Sequence, residues 1–185
     1  IDKFAKGDPS VRPQDVLTLL EAAIQTAGQA VYHKGQAEPE KRGMGTTASA
    51  LLISGDRGFI AHVGDSRVYM LRAGQVVQLT EDHSLVNELL KTGKLSPEEA
   101  ETHPQRSVIT RALGTDPDVD VDTFAVETAP GDIFLLCSDG LTSMVDEQSI
   151  LDIVERNRGD LEAAAKALID AANRGGGEDN ITVVL

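Results

Sequence analysis

The stretch Ile133-Phe134-Leu135-Leu136-Cys137-Ser138-Asp139-Gly140-Leu141-Thr142 constrains the fold more than any other part of the chain. Residues 133–136 are uninterruptedly apolar, carry no turn signal and stop at Ser138-Asp139-Gly140, which predicts a buried strand ending in a tight turn. Such a turn lifts one carboxylate out of the sheet. Gly140 leaves room for another group to come close, a placement suited to a hard cation held by carboxylate oxygens. Asp-Gly also closes ordinary turns, so the stretch alone does not establish a site. A second acidic turn, Gly175-Gly176-Gly177-Glu178-Asp179-Asn180, runs directly into the strand-like Ile181-Thr182-Val183-Val184-Leu185.

At 185 residues the chain is long enough for a single domain, residues 1–185, with a full core. Hydrophobic residues make up 41% but aromatics only 3%, with no Trp, so that core must be packed with Val, Leu, Ile and Ala. The formal net charge of -13 opposes nucleic-acid binding, which requires Lys and Arg to displace counterions, and suits a protein that holds cations. The single Cys137 cannot form an internal disulfide, which fits a reducing compartment; inside a run of Leu and Phe it reads as a small hydrophobe rather than a catalytic thiolate. No run approaches the roughly 18 apolar residues of a membrane span, and no signal peptide opens the chain. The expectation is a soluble, cytoplasmic monomer. The sequence opens without Met, as if cut from something longer.

Residues 1–12 read as irregular. From Pro13 the apolar set Leu17, Leu20, Ile24, Ala27, Val31 recurs at spacings of three and four, predicting an amphipathic helix from about residue 13 to residue 32, with Gly35 past its end. A polar linker over residues 35–42 follows. Short apolar runs then alternate with turn-rich stretches at residues 54–58, 64–66 and 73–75, which predicts an antiparallel meander over residues 46–79. Leu85, Leu89 and Leu90 suggest a short helix ended by Gly93. Ser96-Pro97-Glu98-Glu99 is a capping-box pattern for a second helix running to His103, so residues 85–115 form a helical insert between strands. Val119, Val121, Phe124 and Val126 return to strand composition. Asp146 and Asp160 cap two further helices, the second ended by the glycines at 175–177. Without regular strand–helix alternation, the fold class is α+β, antiparallel sheets covered by helices.

Most catalytic signatures are absent: there is no His-Glu-x-x-His, Cys-x-x-Cys, Gly-x-Ser-x-Gly or phosphate loop. Asp116, Asp118, Asp120 and Glu127 fit a calcium-loop template only loosely, because Val121 stands where Gly is needed, and strand alternation explains them better. His62, His83 and His103 share no ligand spacing, and His62 reads as a satisfied strand residue. Asp65, Asp139 and Asp179 differ: each adjoins an apolar run and has Gly, Ser or Asn beside it, as turn carboxylates at strand ends do. On neighbouring strands they would converge and repel one another unless cations neutralised them.

Gly45-Thr46-Thr47-Ala48, Ala61-His62-Val63-Gly64-Asp65-Ser66-Arg67, Thr80-Glu81-Asp82-His83-Ser84, residues 135–141 and Asp179-Asn180-Ile181-Thr182-Val183-Val184 occur in the order found in metal-dependent type 2C serine/threonine protein phosphatases. The resemblance covers about residues 43–185, and residues 135–142 look like the bacterial branch. It implies an antiparallel β-sandwich flanked by helices in α-β-β-α layers, with a metal cleft at one edge and residues 85–115 as a mobile flap beside it. Asp139 and Asp179 match the late carboxylates that hold a binuclear Mg2+ or Mn2+ centre. Asp65 matches a residue that helps hold a third, weaker metal with the equivalent of Asp139. Ser143 stands where some members place a further acidic ligand, which weakens the third site.

The family's front motifs, an Arg followed by Asn-Glu-Asp and then Asp-Gly-Met-Gly-Gly, do not occur in these 185 residues. The expected reaction is hydrolysis of phosphoserine and phosphothreonine in phosphoprotein substrates. The resemblance implies a water held by two metals as the nucleophile, so no catalytic side chain is assigned; the absent front Asp would bridge both metals and the absent Arg would bind the phosphate, so the 185 residues alone are expected to be inactive. The competing expectation is a non-catalytic phosphoprotein-binding or regulatory module on the same fold.

Overall fold

A computed structural model describes residues 12–185. Of the expected irregular opening over residues 1–12, residues 1–11 lie outside the described residues, and Arg12 is the extended N-cap of the first helix. The fold class is α+β, with two antiparallel sheets and helices. The chain divides into two compact units. One comprises the residues up to Gly64 with Asp82–Ala129; the other comprises Asp65–Glu81 with Pro130–Leu185.

The first unit is built on a three-stranded sheet in the order β1-β2-β5, formed by β1 (Ala48–Ser54), β2 (Arg57–Val63) and β5 (Asp122–Glu127). Both neighbours run antiparallel to β2, with Ala61 facing Ala50 on one side and Thr123 on the other. As the middle strand, β2 is buried from Gly58 to Val63. Helix α1 (Pro13–Ala37) packs on β2 and β5. Its Ile24 joins Ala61, Val63, Leu113 and Val119 in the core of this unit.

The helix begins where Pro13 predicts but runs past the expected residue 32, so Gly35 lies inside it rather than beyond it. The physical reason is packing: a Cβ on Gly35 would stand 3.2 Å from the Lys41 carbonyl oxygen and 3.3 Å from Met44 Cγ. Here glycine serves close approach, not termination. The buried face is Val16, Ile24, Gly28 and Gly35, and Ala27, expected on it, is exposed. The insert carries α2 (Leu85–Lys91) and α3 (Pro97–Glu101). Ser96 Oγ accepts from Glu99 N, and the Glu99 carboxylate accepts from Ser96 N, the reciprocal cap that the sequence announces.

The expected continuous meander is broken at residues 64–66. β3 (Arg67–Arg72) and β4 (Gln75–Gln78) pair antiparallel with each other, but not with β2. They belong to the second unit, whose four-stranded sheet has the order β4-β3-β6-β7, completed by β6 (Ile133–Cys137) and β7 (Val183–Val184). Gly64 adopts φ +113, and any side chain there would put its Cβ 2.3 Å from Thr47 Cγ2, so the break requires glycine.

A one-turn helix, α4 (Asp139–Thr142), follows β6, and α5 (Glu147–Arg156) and α6 (Leu161–Gly175) pack on each other. Asp146 and Asp160 cap the last two, accepting from Ser149 N and Ala163 N at 2.8 and 2.9 Å. The core of the second unit gathers Tyr69, Leu71, Leu135, Leu141, Ile150, Val154 and Leu168, all fully buried. Each buried Leu stabilises by about 1.5–3 kcal/mol. Burial pushes the Tyr69 phenol up to about 12, against the lowering effect of Arg67. Cys137 is a buried member of the same core, as its setting predicts.

Candidate metal centre

Asp65, Asp139 and Asp179 all belong to the second unit. In its sheet, Arg67 of β3 faces Cys137 of β6, which in turn faces Val183 of β7. Asp65 lies two residues before Arg67, Asp139 two after Cys137, and Asp179 four before Val183. All three therefore leave the same end of the sheet.

The two late segments are fastened to each other. Ser138 N donates to Thr182 O at 3.2 Å, Ser138 Oγ donates to Asn180 O at 3.0 Å, and Thr182 N donates to Ser138 Oγ at 3.0 Å. A Cβ on Gly140 would fall 2.4 Å from Asn180 O, so only glycine lets the residue after Asp139 lie this close to the residue after Asp179. The serine hydroxyl is spent on this junction, and Ser138, the N-cap of α4, makes no side-chain cap.

Where a plain turn is expected, Asp139 opens α4. It is half-buried, and its carbonyl accepts from Ser143 N at 2.8 Å. Asp179 is exposed, with Oδ1 accepting from Asn180 N at 2.6 Å. Asp65 is half-buried in the bend between β2 and β3. Arg67, from the same Gly-Asp-Ser-Arg stretch, donates from Nη1 to Tyr69 Oη at 2.9 Å, tying that motif to the core. The donors are hard carboxylate oxygens, the kind that Mg2+ and Mn2+ take. They fit in kind but fall short in number, because among the described residues no group of three or more His, Cys, Asp or Glu is gathered to hold a metal ion.

The other acidic and imidazole candidates are accounted for without metal. His62 is fully buried with Nδ1 at 2.9 Å from Ser49 Oγ, as a satisfied strand residue would be. Asp116, Asp118 and Asp120 are exposed.

Residues 4–170 match the family described as protein phosphatase 2C. The chain belongs to that family. A curated relative, the serine/threonine phosphatase Stp of Listeria welshimeri, is 45% identical over 172 residues, covering 93% of this chain and 68% of the relative. The crystal structure of the Mycobacterium tuberculosis serine/threonine phosphatase PstP/Ppp matches with a TM-score of 0.87 at 40% identity, over 99% of this chain and 77% of that one. The catalytic domain of PstP in complex with two manganese ions matches with a TM-score of 0.83 at 37% identity, over 98% and 75%.

Within this protein phosphatase 2C chain, the sequence picks out the carboxylates at the sheet end but misses a polar network in the first unit, centred on Asp122. Its members are far apart in sequence, and only the Thr80-Glu81-Asp82-His83-Ser84 motif hints at it.

Proposed function

We propose that this chain is part of the catalytic domain of a bacterial signalling phosphatase that hydrolyses phosphoserine and phosphothreonine in proteins, with Asp139 and Asp179 holding the catalytic divalent metals and Asp65 helping to hold a third. The observation that carries this reading is the junction of residues 138–140 with residues 180–182, which draws two acidic segments together at the end of the sheet where Asp65 also emerges. Mg2+ or Mn2+, when bound, supplies Lewis acidity and an ionised water nucleophile. The chain's own residues do the holding. Asp139 and Asp179 provide anionic oxygen, Gly140 permits the approach, and Ser138 fixes the register between the two segments. Ser143, exposed behind Asp139, adds no carboxylate, so the third site is the weakest.

These 185 residues carry neither the Arg nor the front Asp with which the family binds phosphate and bridges its metals, and turnover requires both. The second reading is a phosphoprotein-binding module without metal chemistry, which a parent protein lacking the front Asp would favour. A phosphothreonine peptide assayed with Mn2+ separates the two. The chain alone should show no turnover, and a form completed at its front with the family's Arg, Asn-Glu-Asp and Asp-Gly-Met-Gly-Gly motifs should hydrolyse the peptide. Tight peptide binding by the completed form without hydrolysis would establish the module instead. Among the described residues no helix is long and apolar enough to cross a membrane. The phosphatase is proposed to act in the cytoplasm, as a monomer.

A further inference from the structure

Two side chains of the stretch Thr80-Glu81-Asp82-His83-Ser84 grip the backbone on either side of Asp65. The chain passes from one compact unit to the other at Gly64–Asp65 and back at Glu81–Asp82, and each grip lies within a single unit. Before Asp65, in the first unit, His83 holds Gly64 by both backbone groups. Gly64 N donates to His83 Nδ1 at 3.0 Å, and His83 N donates to Gly64 O at 2.8 Å. After Asp65, in the second unit, β4 ends at Gln78, and Leu79 N carries the ladder one step further by donating to Val68 O at 2.8 Å. A side chain then takes over: Thr80 Oγ1 accepts from Val68 N at 3.0 Å. Only Asp65, Ser66 and Arg67 lie between the two held residues.

Both gripping side chains are themselves fixed. Thr80 is 3% exposed and His83 7%. Because His83 Nδ1 accepts, the ring hydrogen sits on Nε2, which donates to Asp122 Oδ2 at 3.0 Å. Arg111 Nη1 donates to the other oxygen, Asp122 Oδ1, at 2.7 Å. On the second side, Gln78 Nε2 donates to Thr80 O at 2.7 Å. Val68 faces Leu136 of β6, three residues before Asp139, so the Thr80 end of the bend is in register with the strand that leads to Asp139. Gly64, at φ +113, has no side chain to fix its own conformation, and the direction in which Asp65 leaves depends on what holds that backbone.

We propose that Thr80 and His83 are positioning residues that hold the Asp65 bend from both sides, and thereby set the affinity of the third metal site to which Asp65 contributes. The metal half rests on the phosphatase reading above; the bend half does not.

Amide exchange tests the bend. Thr80→Val keeps the shape but removes the acceptor for Val68 N, and His83→Gln removes the acceptor for Gly64 N. Exchange at Val68 in the first and at Gly64 in the second should quicken about tenfold, as expected for losing one buried hydrogen bond, while β1 and α6 keep their rates. Thr80→Ser retains a hydroxyl, and His83→Asn places a carboxamide oxygen where Nδ1 stands, so both should exchange close to the parental rate. These two also decide the matter if the first pair fails to fold. Unchanged exchange in Thr80→Val and His83→Gln overturns the bend half, as does quickening at Val68 in Thr80→Ser or at Gly64 in His83→Asn.

Calorimetry with Mn2+ on the front-completed form tests the metal half. Thr80→Val should weaken the loosest Mn2+ step about tenfold, leave the tighter steps as in the parent, and change nothing further in an Asp65→Ala background, because it acts through that carboxylate. An unchanged loosest step overturns the metal half. So does a Thr80→Val effect that is equal with and without Asp65, which marks a general structural role. A parent that binds no Mn2+, or one in which Asp65→Ala alters no step, overturns the metal reading of Asp65 and the metal half with it, and the exchange data still decide the bend.

Discussion

Gly140 shows how one residue type can be imposed by two segments at once. Its Cβ would stand 2.4 Å from the backbone oxygen of Asn180, and a backbone atom cannot swing aside as a long side chain can. Gly140→Ala is therefore expected to destabilise the fold by about 1–3 kcal/mol, the usual range for overpacking, and to weaken Mn2+ binding by parting the Asp139 and Asp179 segments. Urea midpoints and a Mn2+ titration check both, and a variant with parental values would contradict the close approach. Asp65→Ala should be milder than a change at either late carboxylate, shifting the Mn2+ concentration needed for activity before activity is lost. The sequence makes Asp65, Asp139 and Asp179 visible because each borders an apolar run and a small turn residue. The Asp122 network was not legible in the same way. His83 and Arg111 lie 39 and 11 positions from Asp122, and no periodicity links residues brought together only by folding.

Helix starts were readable because a cap is local: Ser96, Asp146 and Asp160 each bond an amide three residues on, as their spacing announces. Helix ends and strand partners were less so. Gly35 looks like a stop, yet it is a packing glycine, and whether β2 pairs with β3 depends on Gly64 and its distant neighbour Thr47. The last strand, expected over residues 181–185, is regular only at Val183–Val184, because the preceding residues are fastened to Ser138 through its hydroxyl. Ser138→Ala removes the partner of both Asn180 O and Thr182 N. It should cost about 1 kcal/mol and quicken exchange at residues 182–184; exchange there at the parental rate would argue against the junction. At the base of the insert, burial raises the Asp122 pKa but hydrogen bonds from His83 and Arg111 outweigh it, leaving the carboxyl below its ordinary 3.8. A lowered folded pKa stabilises fully above the unfolded value and is lost as pH falls through the folded one. The stability difference between the parent and Asp122→Asn should accordingly be constant above pH ~5 and shrink below pH ~4. A difference that persisted undiminished at lower pH would show that the carboxylate charge is not what matters.

At the scale of the whole molecule, each compact unit carries its own sheet and its own core, with the candidate metal carboxylates in the second and the helical insert and the Asp122 network in the first. The order of sequence motifs carried the family and the lack of regular strand–helix alternation the α+β class, whereas the assignment of β3 and β4 to a separate sheet from β2 required three-dimensional pairing. The formal net charge of -13 is consistent with a surface that tolerates cations, and the end of the second sheet offers them hard oxygen donors from several segments. The most direct measurement is a calorimetric Mn2+ titration of the front-completed protein and its Asp139→Ala and Asp179→Ala variants, each followed by turnover of a phosphothreonine peptide. The parent should bind Mn2+ and turn over. Each variant should keep its fold, lose bound Mn2+ and show no turnover. Full activity in Asp139→Ala, or robust Mn2+-dependent turnover by residues 1–185 alone, would contradict the account.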